Sequence, residues 1–128
     1  MLALLAMLLA GCAQPTPLGE GSSDQNTWQI SSDQQEYAVG WAEVRLSVER
    51  TDGAELANGL ILSADISMPS MGHGSSEEST VSPVAGSSDT WLLSSFFTMG
   101  GPWQIQGSVS DASITESFAI DVDVAGEM

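Results

Sequence analysis

The sequence predicts an all-β protein, an immunoglobulin-like antiparallel β-sandwich of about seven strands. From Trp28 onward, apolar and polar residues alternate, as expected of strands with one buried face. Turn sequences such as TDGAE at 51–55 and GGP at 100–102 separate the alternating runs at intervals typical of such a sandwich. The 128 residues suffice for one domain, which we place at residues 28–125.

The predicted strands follow one another along the chain, and five of them have long alternating runs. Two shorter strands are predicted at the sequence WQIS near residue 28 and at residues 80–84. In the five long runs, the apolar residues that share a face are Val44, Leu46 and Val48; Leu60, Leu62, Ala64, Ile66 and Met68; Trp91, Leu93, Phe97 and Met99; Trp103, Ile105 and Val109; and Ile114, Phe118, Ile120, Val122 and Val124.

The N-terminal segment has a different character from the rest of the chain. Residues 1–10 are all apolar, which is too short for a transmembrane helix but suits the apolar core of a signal peptide. The sequence LAGC, ending at Cys12, resembles the lipobox of bacterial lipoproteins. That resemblance implies removal of residues 1–11 and acylation of Cys12, so that a lipid anchors the protein to a membrane. No basic residue precedes the apolar run, and a cytosolic protein with an apolar N-terminus is the alternative.

Residues 12–27 are expected to form the lipidated cysteine and a flexible tether, because they contain two prolines and no apolar periodicity. The expected location is the bacterial cell envelope. Residue 13 is alanine and not aspartate, which by the lipoprotein sorting pattern implies the periplasmic face of the outer membrane in a host with two membranes.

Charge and composition exclude several classes of function. Seventeen acidic residues stand against two arginines and no lysine, so the chain has no basic surface for nucleic acid. A salt-adapted host would produce the same acidity, which therefore does not define a site. The chain has a single histidine and no Gly-x-Ser-x-Gly sequence, and the sequence predicts that it is not an enzyme.

One short segment has the composition of a soft-metal site. Met68, Met71 and His73 lie within six residues, and Met99 stands before another glycine-rich turn. Thioether and imidazole ligands suit Cu(I), which the sequence predicts as the cofactor or cargo. Three of the four residues also have a structural interpretation, because Met68 and Met99 continue apolar strand faces and His73 is compatible with a plain loop. Met71 is less easily explained, because a glycine-rich loop seldom needs a thioether.

Two further blocks of sequence belong together, MPSMGHG at 68–74 and FFTMGGPWQIQGSV at 96–109. Together they resemble the YtkA-like domain, whose pattern FixH-like proteins share. The resemblance implies a β-sandwich outside the cytoplasmic membrane, with envelope partners in copper transport or oxidase assembly. The first hypothesis is a lipid-anchored protein that binds or hands on Cu(I). The alternative is a non-catalytic envelope interaction module without a metal.

Overall fold

The computed structural model of the protein describes residues 18–57, 59–69, 73–74 and 77–126, and the backbone alone at 73–74. This part of the chain forms ten strands and no helix. The strands are β1 (Glu20–Ser22), β2 (Trp28–Ser32), β3 (Glu36–Ala38), β4 (Gly40–Arg50), β5 (Ile61–Met68), β6 (His73–Gly74), β7 (Thr80–Pro83), β8 (Thr90–Phe97), β9 (Gly101–Ser110) and β10 (Thr115–Ala125).

The strands form two five-stranded sheets, which confirms the predicted all-β sandwich. One sheet has the order β1-β2-β4-β8-β7, and the other has the order β3-β10-β9-β5-β6. The short strands β1, β3 and β6 are additions to the seven that the sequence predicts. All pairings are antiparallel except that of β3 with β10. The parallel pair arises because the chain crosses between the sheets after β2 without reversing its direction.

The core between the sheets follows the predicted alternation closely. In β10 every second residue from Glu116 to Val124 is buried, and in β4 the buried residues are Val44, Leu46 and Val48. Ile114 is an exception, since it is 42% exposed and not part of the inward face. The reason is that β10 begins one residue later, and Ile114 belongs to a turn in which its amide donates to the Asp111 carboxylate.

One lateral side of the sandwich is closed, and we call it the closed side: β1 on one sheet lies against β10 on the other. The amides of Gly19 and Asp24 donate to the carbonyls of Asp121 and Ser117, at 2.8 and 2.9 Å. A Cβ on Gly21 would collide with the carbonyl oxygen of Ala119, so only glycine permits this approach. The sequence predicts a flexible tether as far as residue 27, whereas the structure includes the chain in the sandwich from residue 18.

The opposite lateral side, formed by β5, β6 and β7, is called the open side. Here β7 is the last strand of its sheet, and among the described residues β6 pairs with β5 only at residues 67 and 68. Between Ile61 and Asp65, β5 pairs only with β9 within the described part of the chain, although β7 and β8 of the other sheet lie close to β5. The two sides therefore differ in whether their strand edges are covered.

Candidate functional site at the methionine end

Three of the predicted ligand positions, Met68, His73 and Met99, lie at one end of the sandwich, which we call the methionine end. It comprises the last residue of β5, Met68, the first residue of β9, Gly101, and the turn between β8 and β9. Pro69 follows Met68 and has no amide hydrogen, so it ends the strand. The chain then returns as β6, and the sheet register sets Met68 opposite His73.

Met68 is buried, with 3% of its surface exposed, and it belongs to the core. Its methyl carbon lies 2.9 Å from the place where a Cβ on Gly101 would stand. Gly101 has a φ of +125°, a conformation that side chains with a Cβ rarely adopt. The glycine therefore serves two purposes, because it permits the turn and leaves room for the end of the methionine. This geometry supports the structural role that the sequence allows for Met68.

Met99 is half-buried and packs on the margin of the core. Its carbonyl oxygen accepts a hydrogen bond of 2.9 Å from the indole nitrogen of Trp103, which is itself buried. Trp103 packs edge-on against Phe97, with ring centroids 5.4 Å apart. The turn that carries Met99 is thus fixed to the core from both sheets.

The neighbouring residue, Thr98, holds an unusual polar atom. Its hydroxyl oxygen is buried and has no hydrogen-bond partner among the described residues. Such groups are rare in folded proteins, since an unpaired buried hydroxyl costs about 1–3 kcal/mol.

The structure describes Met68 and Met99 in full and His73 by its backbone alone. Met68 and the backbone of His73 are neighbours across β5 and β6, and Met68 touches Gly101, two residues beyond Met99. Met71 and Cys12 lie outside the described residues. Within the described part, no group of three or more His, Cys, Asp or Glu side chains is arranged to hold a metal ion. That statement does not cover a site built mainly on thioethers. In such a site, the ligand atoms within the described residues would be the sulfurs of Met68 and Met99.

An aromatic pair lies on the outer face of the first sheet, next to the methionine end. Trp41 is 60% exposed and opposes Phe96 across β4 and β8. The two rings meet edge-on with their centroids 5.5 Å apart. The next pair in the register, Gly40 with Phe97, brings this patch to the end of β8. Trp41 and Phe96 therefore form a small aromatic patch on this face.

The closed side contains a buried carboxylate that the sequence analysis missed. Glu116 is 3% exposed, and its oxygens accept hydrogen bonds from the hydroxyls of Ser23 (2.6 Å) and Thr27 (2.5 Å). The amides of Gln25 and Thr27 also donate to it. The signal was available, because Glu116 stands in phase with Phe118 and Ile120 on the inward face of β10.

The hydrogen bonds to Glu116 also determine its ionisation. Burial alone would raise its pKa, but the hydrogen bonds donated by Ser23, Thr27 and the two amides outweigh burial, and the pKa lies below its ordinary value. The carboxylate therefore stays charged at neutral pH and ties residues 23–27 to β10. The groups that donate hydrogen bonds to this carboxylate all belong to residues 23–27 of the same fold. We therefore regard Glu116 and these residues as a structural cluster.

Comparisons with known proteins do not identify the chain. No family model and no curated protein matches it. A solved structure described as "ZirS C-terminal Domain" is similar to 82% of this chain and to 70% of its own length, with 11% identity and a TM-score of 0.47. A similarity of this size supports no statement about function. None of the elements in the described part is a helix that would be long and apolar enough to cross a bilayer.

Proposed function

We propose that this chain is a lipid-anchored, YtkA-like protein of the bacterial cell envelope that binds or hands on Cu(I). The ligands would be drawn from Met68, Met71, His73 and Met99. The observation that supports this proposal is the register of β5 and β6, which sets Met68 opposite His73 at the end where Met68 reaches the turn after Met99. Soft thioethers and an imidazole at one end of a sheet are a donor set for Cu(I).

The burial of the two described methionines suggests how they would share the task. Met68 is almost fully buried, so its sulfur would reach only a metal ion held inside the methionine end. Met99 is half-buried, so it is the more exposed of the two residues. Neutral thioether ligands exchange readily, so a partner could remove the ion from the accessible side. The proposed action is therefore transfer by ligand exchange, with no catalytic step.

A competition titration tests this proposal. Cu(I) is added to the protein in the presence of a chromophoric Cu(I) chelator, with Cys12→Ser as the background so that a free thiol does not bind the metal. We expect one equivalent to be taken from the chelator, and His73→Ala and Met71→Leu to lower the affinity at least tenfold. Met128→Leu is the matched control and should leave the affinity unchanged. Failure of the protein to compete with the chelator would refute a copper function.

The anchor is tested separately from the metal. Cells expressing the full chain are supplied with an alkyne-labelled fatty acid, and the label is detected on the purified protein. We expect labelling of the unmodified chain and none of Cys12→Ser, with the labelled protein in the membrane fraction. In a host with two membranes, it should fractionate with the outer membrane. A soluble, unlabelled protein would exclude the lipid anchor and leave the copper test unaffected.

The second candidate function is a non-catalytic interaction module of the envelope, and the exposed Trp41 on Phe96 favours it. A partner in copper transport or oxidase assembly would dock on this patch next to the methionine end. Trp41→Ser should then remove binding of the partner recovered by crosslinking in cells, while Ile114→Ser, at another exposed apolar residue, should not. If the partner is retained equally by both variants, the aromatic patch is not the docking surface.

A further inference from the structure

A cleft on the open side lies between the two sheets, at the end away from the methionines. Its volume is about 840 Å³. Val48, Leu62 and Trp91 line it and are each no more than 7% exposed, and the half-buried Leu56 and Leu60 lie beside them. The cleft therefore has an apolar floor and an open mouth, which is the form of a groove for apolar side chains.

The edge of β5 that borders this cleft offers unpaired backbone groups. The amide of Ile66 donates to the carboxylate of its neighbour Asp65 at 2.8 Å, so it points away from β9. Because the backbone groups of a strand alternate in direction, those of Leu62 and Ala64 point the same way. Within the described chain, no other strand pairs with these two residues. An extended peptide would satisfy them by adding a strand.

The charge around the cleft selects the kind of peptide. Glu49, Glu55 and Asp89 line it, and no arginine does. Of the two arginines in the chain, Arg50 forms an ion pair with Asp52 at 2.9 Å. An acidic rim without cations attracts basic side chains and repels anionic ones. A second copy of this chain, with a net charge of -15, is disfavoured as the occupant for the same reason.

We infer that this cleft binds an extended segment of a partner protein in which apolar and basic residues alternate. The segment adds to β5 as a strand, and its apolar side chains occupy the floor formed by Val48, Leu62 and Trp91. Its basic side chains point away from this floor, and the acidic residues around the mouth of the cleft attract them. This site lies at the opposite end from the methionines and does not depend on a metal.

The test uses a fluorescent peptide with four Lys-Val repeats and the full-length, metal-free protein in 150 mM salt. We expect saturable binding by fluorescence anisotropy. A peptide with four Glu-Val repeats should not bind, and one with four Lys-Ser repeats should bind at least tenfold more weakly. No saturable binding of the Lys-Val peptide, or equal binding of the Lys-Ser peptide, would overturn the inference.

Two double variants with the same change in net charge distinguish binding at the cleft from general attraction of a basic peptide to an acidic protein. Glu49→Lys with Glu55→Lys should weaken the Lys-Val peptide at least tenfold. Glu20→Lys with Glu36→Lys makes the same change in net charge at exposed positions of β1 and β3, and should weaken it less than threefold. Equal weakening in both would show attraction to net charge alone and overturn the site.

Strand addition has its own test, which leaves the protein unchanged. Two Lys-Val peptides are N-methylated at alternate backbone nitrogens, in the two possible phases. Only one edge of an added strand faces β5, so one phase should lose binding and the other should retain it within threefold. If both phases bind as well as the parent peptide, the peptide does not add to β5 and the inference fails.

Discussion

The two lateral sides of the sandwich differ in how the edges of their strands are covered. On the closed side, β1 crosses to β10, and the amides of Gly19 and Asp24 find carbonyls on the opposite sheet. On the open side, no strand of the described chain pairs with the outer edge of β5 at residues 61–65, and the Asp65 carboxylate accepts a hydrogen bond from the amide of Ile66. Uncovered edges are sites at which other chains can pair. From this difference we expect substitutions on the closed side to cost more stability than substitutions on the open side.

The polar groups of the two sides show the same contrast. The carboxylate of Glu116 on the closed side receives hydrogen bonds from residues 23–27 and is not exposed to ligands. The acidic residues Glu49 and Glu55 on the open side are exposed at the rim of a cleft. A satisfied buried charge serves the fold, whereas exposed charges beside an apolar floor are able to serve a partner.

The largest effect is expected from Gly21→Ala, which breaks the closed side. The new Cβ would collide with the carbonyl oxygen of Ala119, so β1 must separate from β10. We expect a loss of about 3 kcal/mol in the free energy of unfolding, measured by urea denaturation. Ser22→Ala, at an exposed position of the same strand, is the control and should change it by less than about 0.5 kcal/mol. Equal stability of both variants would show that β1 does not close this side.

Glu116→Gln is expected to have the next largest effect, with a dependence on pH. Since the folded pKa of Glu116 lies below its ordinary value of 4.5, the charge stabilises the fold fully above that pH. This stabilisation is lost as the pH falls through the lowered pKa. At pH 7 we expect a decrease of about 8 °C in melting temperature, from unpaired donors and the lost charge. The difference from wild type should shrink below pH 4.5, and a constant difference down to pH 2 would contradict this role.

Met68→Leu should have a smaller effect on stability, because leucine preserves most of the buried volume. We expect a loss of about 1 kcal/mol by urea denaturation. Met99→Leu, at a half-buried position, should cost less than Met68→Leu. A larger cost at Met99 would mean that the core at the methionine end is organised around Met99 and not around Met68.

The smallest effect is expected from Ile61→Ser on the open side. Ile61 is 65% exposed, so its replacement should change the free energy of unfolding by less than about 0.5 kcal/mol. The same variant should bind the Lys-Val peptide more weakly, because Ile61 lines the cleft. A loss of stability comparable to that of Gly21→Ala would show that the open side stabilises the fold as much as the closed side, which contradicts the proposed difference between them.

The sequence predicts the long strands well, because their alternation reports burial directly. Every second residue of Val44–Val48 and Phe118–Val124 is buried as expected. It does not predict β1, whose three residues include a glycine and two polar side chains, since this strand depends on a close approach between distant segments. Short strands of this kind have no periodic signal and are determined by tertiary contacts.

The candidate site was predictable in part. The residue types predict Met68, His73 and Met99 as ligands, and the structure adds that Met68 pairs with His73 and contacts Gly101, two residues after Met99. The alternation in β10 predicts that Glu116 points inward. It does not predict that residues 23–27 donate hydrogen bonds to the carboxylate, because those residues are distant in sequence. The open edge of β5 depends on sheet order, which alternation does not encode.

The most direct test of the copper proposal is nuclear magnetic resonance of the methionine methyl groups, labelled with ¹³C, during addition of Cu(I) to the Cys12→Ser protein. The proposal predicts that the signals of Met71 and Met99 move together and saturate at one equivalent. The signal of Met68 should move with them if the ion is held inside the methionine end, and that of Met128 should stay in place. The copper proposal would be contradicted if the signals of Met71 and Met99 did not respond. It would also be contradicted if the signals of all the methionines moved in proportion to excess copper.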